Sequence, residues 1–322
     1  MTGMPKKYTF LLALIAALGL PLVLRSGSLA SEVLIYALAA LGCNLLLGYT
    51  GLLSFGQGIF FGLGSYTIAI FLTRLQMPMP VALLAAVAMG SLGAAVVGWV
   101  AIRQRGTYFV MLTLAFAQMF YFIAYSASGL TGGDNGLLDV PRPGFMNTPW
   151  KYYAFVAVVF LIAFALLLKV TDSVFGRTLL AIRSNEDRAA AVGYDLRRFK
   201  LLAFVISGAV TGLAGGLHAM MTGIAPLSNA EYHTSEMILV ITVIGGTGNL
   251  FASVLGSAFY VLLGDWLSTL WPRWLLLLGL LLIGVSIGMQ RGLWGLCESA
   301  WQRIFRKQTV ESNAPRAQGE QA

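Results

Sequence analysis

The feature that most constrains this 322-residue chain is a series of long apolar runs separated by short polar or glycine-rich stretches. Ten runs bounded by charged residues, Gly or Pro follow one another, at 8–24, 31–47, 57–73, 79–101, 108–127, 152–168, 201–222, 236–246, 249–267 and 274–290. A helix needs about 20 apolar residues to cross a bilayer, and most of these runs reach or approach that length. The pattern predicts an all-α, polytopic transmembrane bundle of about 8–10 spans.

Two of the runs allow more than one interpretation. The run at 236–246 is too short to cross alone, so it predicts a tilted half-helix or one part of a broken pair with 249–267. The first run follows Lys6 and Lys7 and resembles a signal peptide. Its 17 apolar residues, from Tyr8 to Leu24, favour a retained first span.

The charge distribution supports a membrane protein and orients it. Only 11% of the residues are charged, whereas soluble domains have about 25%. With ten spans, 16 Lys and Arg residues fall on one side and five on the other, namely Arg25, Arg74, Arg142, Lys151 and Arg273. The positive-inside rule makes the first side, with both termini, cytoplasmic. The net charge of +8 therefore reflects topology and does not indicate a nucleic-acid site.

Ionisable residues inside the predicted spans are few. His218 is the only one well inside a span, and Glu32, Glu236 and Asp265 are expected near the outer ends. The sequence has no paired carboxylates, no metal-ligand spacing and no Ser/His/Asp set, so it predicts no catalytic residue, no metal and no enzyme. It also disfavours a proton- or sodium-coupled carrier. His218 is interpreted as a hydrogen-bonded core residue, with a proton relay as the alternative.

Glycine-rich segments provide the main candidates for the transport route. Residues 48–64, GYTGLLSFGQGIFFGLG, are too rich in glycine for an ordinary helix and too apolar for a surface loop. The G-x-T-G pattern recurs at 245–248, which suggests an internal repeat with broken helices. Flexible backbone and uncharged polar groups predict a translocation path or cytoplasmic gate that includes Thr50, Gly51, Ser54, Gln57, Gly58, Gly245, Gly246, Thr247 and Gly248. The alternative for 48–58 is a packing turn without substrate contact.

Two further segments are predicted to have structural or docking roles. Gly208, Gly212 and Gly216 recur every four residues, a spacing typical of close helix packing in lipid. The charged loop at 170–200 predicts a short amphipathic helix at about 185–192 that ends at Gly193. This helix is interpreted as a docking element for a cytoplasmic partner, with a solvated linker as the alternative. The outer loop at 128–151 either meets a partner protein through its charged residues or is simply solvated.

Four ordered segments resemble the branched-chain amino-acid permease family of ABC importers, most closely its M-type subunit. The loop and the helix after it read FGRTLLAIRSNEDRAAAVGYDLRRFKLLAFVISGAVTGLAGGLHA. The segments GYTGLLSFGQGIFFGLGSYT, LTGGDNGL and VIGGTGNLFASVLGSAF fit the same family in its order. Together the similarity extends over about 40–290. The loop also resembles the Glu-Ala-Ala-x3-Gly coupling motif, although Arg188 replaces an Ala and the usual Ile-x-Leu-Pro continuation is missing.

The resemblance implies a function and a set of partners. It implies that ATPase coupling involves Asn185, Glu186, Asp187, Arg188, Ala189 and Gly193. The expected partners are a second paralogous permease, two cytoplasmic ATPases that bind the ATP, and a periplasmic binding protein, in the inner membrane; this chain itself needs no cofactor. The expected division is a permease domain at 1–306 and a disordered cytoplasmic tail at 307–322. Branched-chain amino acids are the expected substrate; a urea or short-amide importer, or a stand-alone urea or amide channel, are the alternatives.

Overall fold

The computed structural model of the chain describes residues 6–24, 26–146 and 148–270, together with short stretches between 273 and 295. Its helices are α1 (Lys6–Val23), α2 (Gly27–Asn44), α3 (Gln57–Thr73), α4 (Met79–Ala101), α5 (Thr107–Ser126), α6 (Ser128–Thr131), α7 (Pro149–Asp172), α8 (Val174–Ser184), α9 (Glu186–Ala191), α10 (Leu196–Thr222), α11 (Tyr232–Gly245) and α12 (Leu250–Leu270). A π-helical turn, Leu45–Thr50, extends α2. The described residues contain no β-strand, and this confirms the predicted all-α class.

The apolar runs correspond closely to these helices. The predicted runs at 57–73 and 79–101 coincide with α3 and α4, and seven others match helices with slightly different ends. The run at 274–290 lies largely outside the described residues, and the predicted tail at 307–322 lies wholly outside them. Within the part of the chain that the structure describes, six helices are long and apolar enough to cross a membrane: α2 with its π turn, α4, α5, α7, α10 and α12. The apolar helices in α1, α3 and α11 are shorter, and of these only the run at 236–246, in α11, was predicted to be too short to cross alone.

Helix α2 occupies the centre of the bundle. It packs against α7, α10, α11 and α12, and 89% of its membrane-spanning window is buried. Its sequence, GSLASEVLIYALAALGCN, is apolar on every side, as expected for a helix enclosed by others. Helices α4, α5 and α7 form the outside, where at most 33% of each window is buried.

Glycine allows α10 to approach α3 and α4 very closely. A Cβ atom added at Gly208 would lie 2.6 Å from the Gly90 carbonyl oxygen of α4, and one at Gly212 would lie 3.0 Å from the Gly90 Cα. A Cβ at Gly64 of α3 would overlap the carbonyl of Gly212, and one at Gly216 would lie 2.8 Å from the Ile68 side chain. The backbones of the three helices therefore touch directly, which is the usual way to gain dispersion energy between helices in lipid.

Glu236 does not lie near the outer end of the bundle, so that expectation was wrong. The segment before α11 descends along α3: Asn229 donates to the Ser65 hydroxyl at 2.9 Å, and Ser235 accepts from the Gly58 amide at 2.7 Å. The missing side chains of Gly58 and Gly62 leave room for this backbone. Helix α11 consequently begins inside the bundle, and Glu236 lies in its first turns.

Helices α11 and α12 form a tight hairpin. A Cβ at Gly245 would overlap the carbonyl of Ala252, and Gly246 and Gly248 have φ values of +115° and +96°. Only glycine adopts such a backbone readily, so the G-G-T-G sequence produces the turn. The predicted broken pair is confirmed as this hairpin.

Candidate functional site

The two G-x-T-G segments meet at one end of the bundle, in a contact that we call the glycine junction, formed by Asn44, Gly48, Gly248 and Asn249. The Asn44 amide donates to the Asn249 carbonyl at 2.8 Å and to the Ser253 hydroxyl at 3.0 Å, and its oxygen accepts from the Gly248 amide at 3.0 Å. A Cβ at Gly48 would lie 2.6 Å from the Gly248 nitrogen. Sequence reasoning identified the glycines but missed Asn44, which is fully buried and joins them.

The backbone around the junction departs from a regular helix. The π turn Leu45–Thr50 ends at Gly51, whose φ is +74°, and residues 51–56 form no helix before α3 begins at Gln57. π-Helical turns occur often at functional sites because they add a residue at the cost of poorer hydrogen bonding. The irregular backbone predicted for 48–58 is therefore present, next to the α11–α12 turn.

Arg183 connects the charged loop to the glycine junction. It lies in the last turn of α8, and its guanidinium Nη1 donates to the Gly48 carbonyl. Its Cγ atom lies 3.2 Å from the Cβ position at Gly51, and Nη1 lies 3.5 Å from that position at Gly248. Nothing in the sequence separates Arg183 from the other basic residues of the charged loop, because its target is distant in the chain.

The short helix predicted at 185–192 is confirmed as α9. The Asn185 side chain caps it by accepting from the Arg188 amide at 2.9 Å, and Gly193 follows it with a φ of +97°. The side chain of Ala189 is buried, whereas Asp187 and Arg188 are exposed. α9 therefore presents a charged face to solvent while its apolar side packs on the chain.

Ion pairs hold α9 against the bundle. Glu186 pairs with Lys200 of α10, with 2.6 Å between Oε1 and Nζ, and the Lys200 side chain is only 6% exposed. Arg105, between α4 and α5, lies 3.6 Å from both Glu186 and Asp187. Arg105, Glu186 and Lys200 border a cleft of about 290 Å³ that Tyr194 and Arg197 also line. A displacement of α9 would consequently act on both α10 and the end of α4.

The other predicted path residues are engaged in helix packing. Gln57 is fully buried: its amide nitrogen donates to the Ser207 hydroxyl at 3.0 Å, and its oxygen accepts from Thr211 at 2.8 Å. Thr50 donates within its own turn, and Ser54 accepts from a neighbouring amide at 3.1 Å. Thr247 is exposed at the hairpin turn. This arrangement agrees with the packing alternative for Gln57, and substrate contact at 48–58 stays a prediction.

His218 and the outer loop have packed surroundings at the opposite end. The His218 ring lies between Tyr36 and Phe61, with centroid distances of 5.8 and 5.4 Å, and its Nδ1 lies 3.3 Å from the Asn229 amide. Arg142 of the outer loop donates to the carbonyls of two residues at the end of α10, at 2.6 Å for the first, Met220. The charged residues of this loop that are exposed are Asp134, Asp139 and Lys151.

The relatives found by comparison with known proteins are transport-system permease proteins. The family described as branched-chain amino acid transport system permease component matches residues 25–286. The chain is 31% identical to the high-affinity branched-chain amino acid transport system permease protein LivM of Escherichia coli strain K12, over 89% of this chain and 75% of that protein. It is 25% identical to the corresponding LivH protein of Salmonella typhimurium, over 69% of this chain and 78% of that protein.

A relative with a different named substrate matches over a shorter length. The L-arabinose transport system permease protein AraH of Escherichia coli strain K12 is 33% identical over 48% of this chain and 46% of that protein. No solved structure matches the chain. The family match covers most of the helical bundle, including the glycine junction and the charged loop, and the chain therefore belongs to the family of branched-chain amino acid transport system permease components.

Proposed function

We propose that this multi-pass permease subunit belongs to a binding-protein-dependent ABC importer that moves branched-chain amino acids inward by alternating access. The proposed complex contains a second paralogous permease, two cytoplasmic ATPases and a periplasmic binding protein in the inner membrane. Both termini of this chain lie in the cytoplasm. The ATPases bind and hydrolyse ATP, and this chain performs no covalent chemistry.

The contact from Arg183 to the Gly48 carbonyl carries this proposal. It joins a charged loop with an exposed helix face to the irregular backbone where two distant segments meet. A stand-alone channel has no need for such a connection, because no soluble motor acts on it. The basic character of this end, which the positive-inside rule assigns to the cytoplasm, also suits a cytoplasmic motor.

The contacts suggest how a motor could act on the bundle. ATP binding closes the ATPase pair and displaces α9 through Asp187 and Arg188. Because Glu186 is paired with Lys200, the displacement is passed to α10, and Arg183 passes it to Gly48. The glycine junction then opens or closes as the bundle changes between outward- and inward-open forms.

The substrate assignment is supported by the names of the relatives. LivM and LivH are named for branched-chain amino acids, and both match most of this chain. The shorter match to AraH, named for L-arabinose, suits a design in which the binding protein selects the substrate. A urea or short-amide importer is the second candidate, because in such a design a different binding protein would select a different substrate.

The test is uptake of labelled leucine and labelled urea into right-side-out membrane vesicles or reconstituted vesicles that contain ATP in the lumen. The chain is assayed alone and with its second permease, ATPases and binding protein. Accumulation of leucine that requires ATP and every partner is the expected result. Accumulation of urea instead would replace the substrate, and passive equilibration by this chain alone would refute the importer.

The coupling step has its own test. Arg183→Gln removes a charged hydrogen bond, and we expect uptake per ATP hydrolysed to fall by about tenfold. Arg177→Gln changes an exposed arginine of the same helix and serves as the matched control, for which no comparable loss is expected. Equal effects of the two variants would refute the role of Arg183.

A further inference from the structure

The first turns of α11 expose ionisable side chains halfway along the bundle. Gln57, next to Gly58, bonds to Ser207, which lies 11 residues after the start of α10 and 15 before its end. At 1.5 Å per residue these intervals correspond to about 16 and 22 Å. Because the Gly58 amide donates to Ser235, the start of α11 lies at this middle level.

His233 and Glu236 point away from the packed core at this level. Their side chains are 62% and 53% exposed, and His233 Nδ1 lies 3.3 Å from Glu236 Oε2. Ser235 and Ile238 explain this orientation, since both are fully buried and lie on the opposite face of α11. An ionisable pair is therefore presented outward at mid-height.

Gln118 of α5 is exposed at a similar height. It lies 11 residues after the start of α5 and eight before its end, or about 16 and 12 Å along the helix. Helix α5 contacts both α11 and the Leu227–Ala230 turn that precedes it. Among the described transmembrane helices, α5 is also the least buried, with 22% of its window enclosed.

Lipid is an unsuitable environment for these three side chains. Ionisable groups at the middle of a bilayer are costly and nearly always face a water-filled cavity or the interior of a bundle. Irregular backbone, such as the 223–231 segment leading to α11, is tolerated at that depth only inside protein or beside a cavity. By contrast, the exposed faces of α4 and α7 carry apolar residues such as Leu92 and Ile162 at the same height.

We infer that His233, Glu236 and Gln118 line a water-filled passage for a small polar solute within the membrane. The inference rests on the proposed function, which supplies a zwitterionic amino acid as the solute. A zwitterion has both an ammonium and a carboxylate group, and a carboxylate beside an imidazole offers hydrogen-bonding groups of both kinds. The passage runs along the exposed face of α11, away from the packed core, and the buried Gln57 does not line it.

The test is the reactivity of single cysteines with a charged methanethiosulfonate reagent, measured in the complete complex in vesicles. The variants are His233→Cys, Glu236→Cys and Gln118→Cys, and the controls are Leu92→Cys and Ile162→Cys, which are 58% and 57% exposed in the isolated chain. A thiol reacts as the thiolate, which forms in water and not in lipid. We expect the three test positions to react at least about 100-fold faster than the controls in one or more transport states.

The possible outcomes separate this inference from the proposed function. If the test positions are as inert as the controls in every state, or react only when the second permease is absent, the passage is refuted. ATP-dependent leucine uptake with inert test positions would leave the importer standing with a different route. Reactive test positions without ATP-dependent uptake would leave the passage standing and refute the importer. The variants are made in a background in which the native Cys43 and Cys297 are replaced by Ser, and this background protein without added cysteines gives the blank reaction.

Discussion

The contribution of Asn44 can be tested through the stability of the whole bundle. Asn44→Ala removes three hydrogen bonds, of 2.8, 3.0 and 3.0 Å, that connect α2 to the turn and first residues of α12. Each such bond contributes about 0.6–1 kcal/mol in a membrane bundle or a soluble core. The loss of all three should therefore lower the free energy of unfolding by about 2–3 kcal/mol, or about 30- to 150-fold in the folding equilibrium.

The assay is equilibrium unfolding in mixed micelles, followed by circular dichroism. Ser31→Ala is the matched control, because Ser31 is equally buried in α2 but donates only to the Gly27 carbonyl of its own helix. That bond duplicates a helical backbone bond, so its loss should cost well under 1 kcal/mol. Equal destabilisation by the two variants would refute the view that Asn44 fastens the two segments together.

A second substitution at the same position tests the orientation of the amide. Asn44→Asp keeps the oxygen that accepts from Gly248 but replaces the donor with a second oxygen, which would face the Asn249 carbonyl. The variant also places a charge in a site that is fully buried. Asn44→Asp should therefore destabilise more than Asn44→Ala at neutral pH. A milder effect would show that the amide nitrogen does not face these acceptors.

Three further predictions concern packing, docking and the route. Gly64→Val should lower the free energy of unfolding by at least about 2 kcal/mol, because its side chain would overlap the Gly212 carbonyl; the same unfolding assay measures it. Reversing the charges of Asp187 and Arg188 together should abolish uptake while the protein still reaches the membrane, as measured by transport and immunoblotting. If 48–58 lines the route, Ser54→Cys should react with a small polar thiol reagent in at least one transport state.

Each of these predictions has a matched control or a contrary result. Gly129→Val introduces the same side chain where no atom lies within 4 Å, and it should be tolerated. Normal uptake by the charge-reversed variant would refute docking through α9. Thr247→Cys, at an exposed position of the α11–α12 turn, should react in every state. If Ser54→Cys is inert throughout while Thr247→Cys reacts, the packing-turn interpretation of 48–58 is correct.

Features decided by neighbouring residues could be predicted from the sequence. The run at 79–101, the short helix at about 185–192 and its end at Gly193 follow from local composition and backbone preferences, and the structure has all three. The span boundaries were predicted within a few residues because apolar composition changes abruptly where a helix leaves the bilayer. The close contacts of glycine at four-residue intervals likewise reflect a property of one helix face.

Features decided by distant residues could not be predicted. Gly48 and Gly248 are 200 positions apart, and nothing in either segment specifies the other as its neighbour. Arg183 was indistinguishable from other basic residues, because any helix end offers carbonyl acceptors. The descent of 223–231 along α3 was missed for a related reason: it depends on the space that Gly58 and Gly62 leave on another helix. Glu236 was consequently predicted near the outer end, and His218 was the only ionisable residue predicted well inside a span.

The two kinds of helix contact indicate where this bundle can move. Between α10 and the glycines of α3 and α4, backbone touches backbone, and no side chain can rotate to accommodate a shift. Such helices should move as one body, because packed interiors resist small displacements. At the glycine junction the backbones of Gly48 and Gly248 also approach closely, but the hydrogen bonds come from the side chains of Asn44 and Arg183 and can break and reform. We therefore expect the α11–α12 hairpin to shift against the α2, α3, α4 and α10 unit. Since His233 and Glu236 belong to that hairpin, a displacement that begins at the charged loop would move the side chains that we place along the passage.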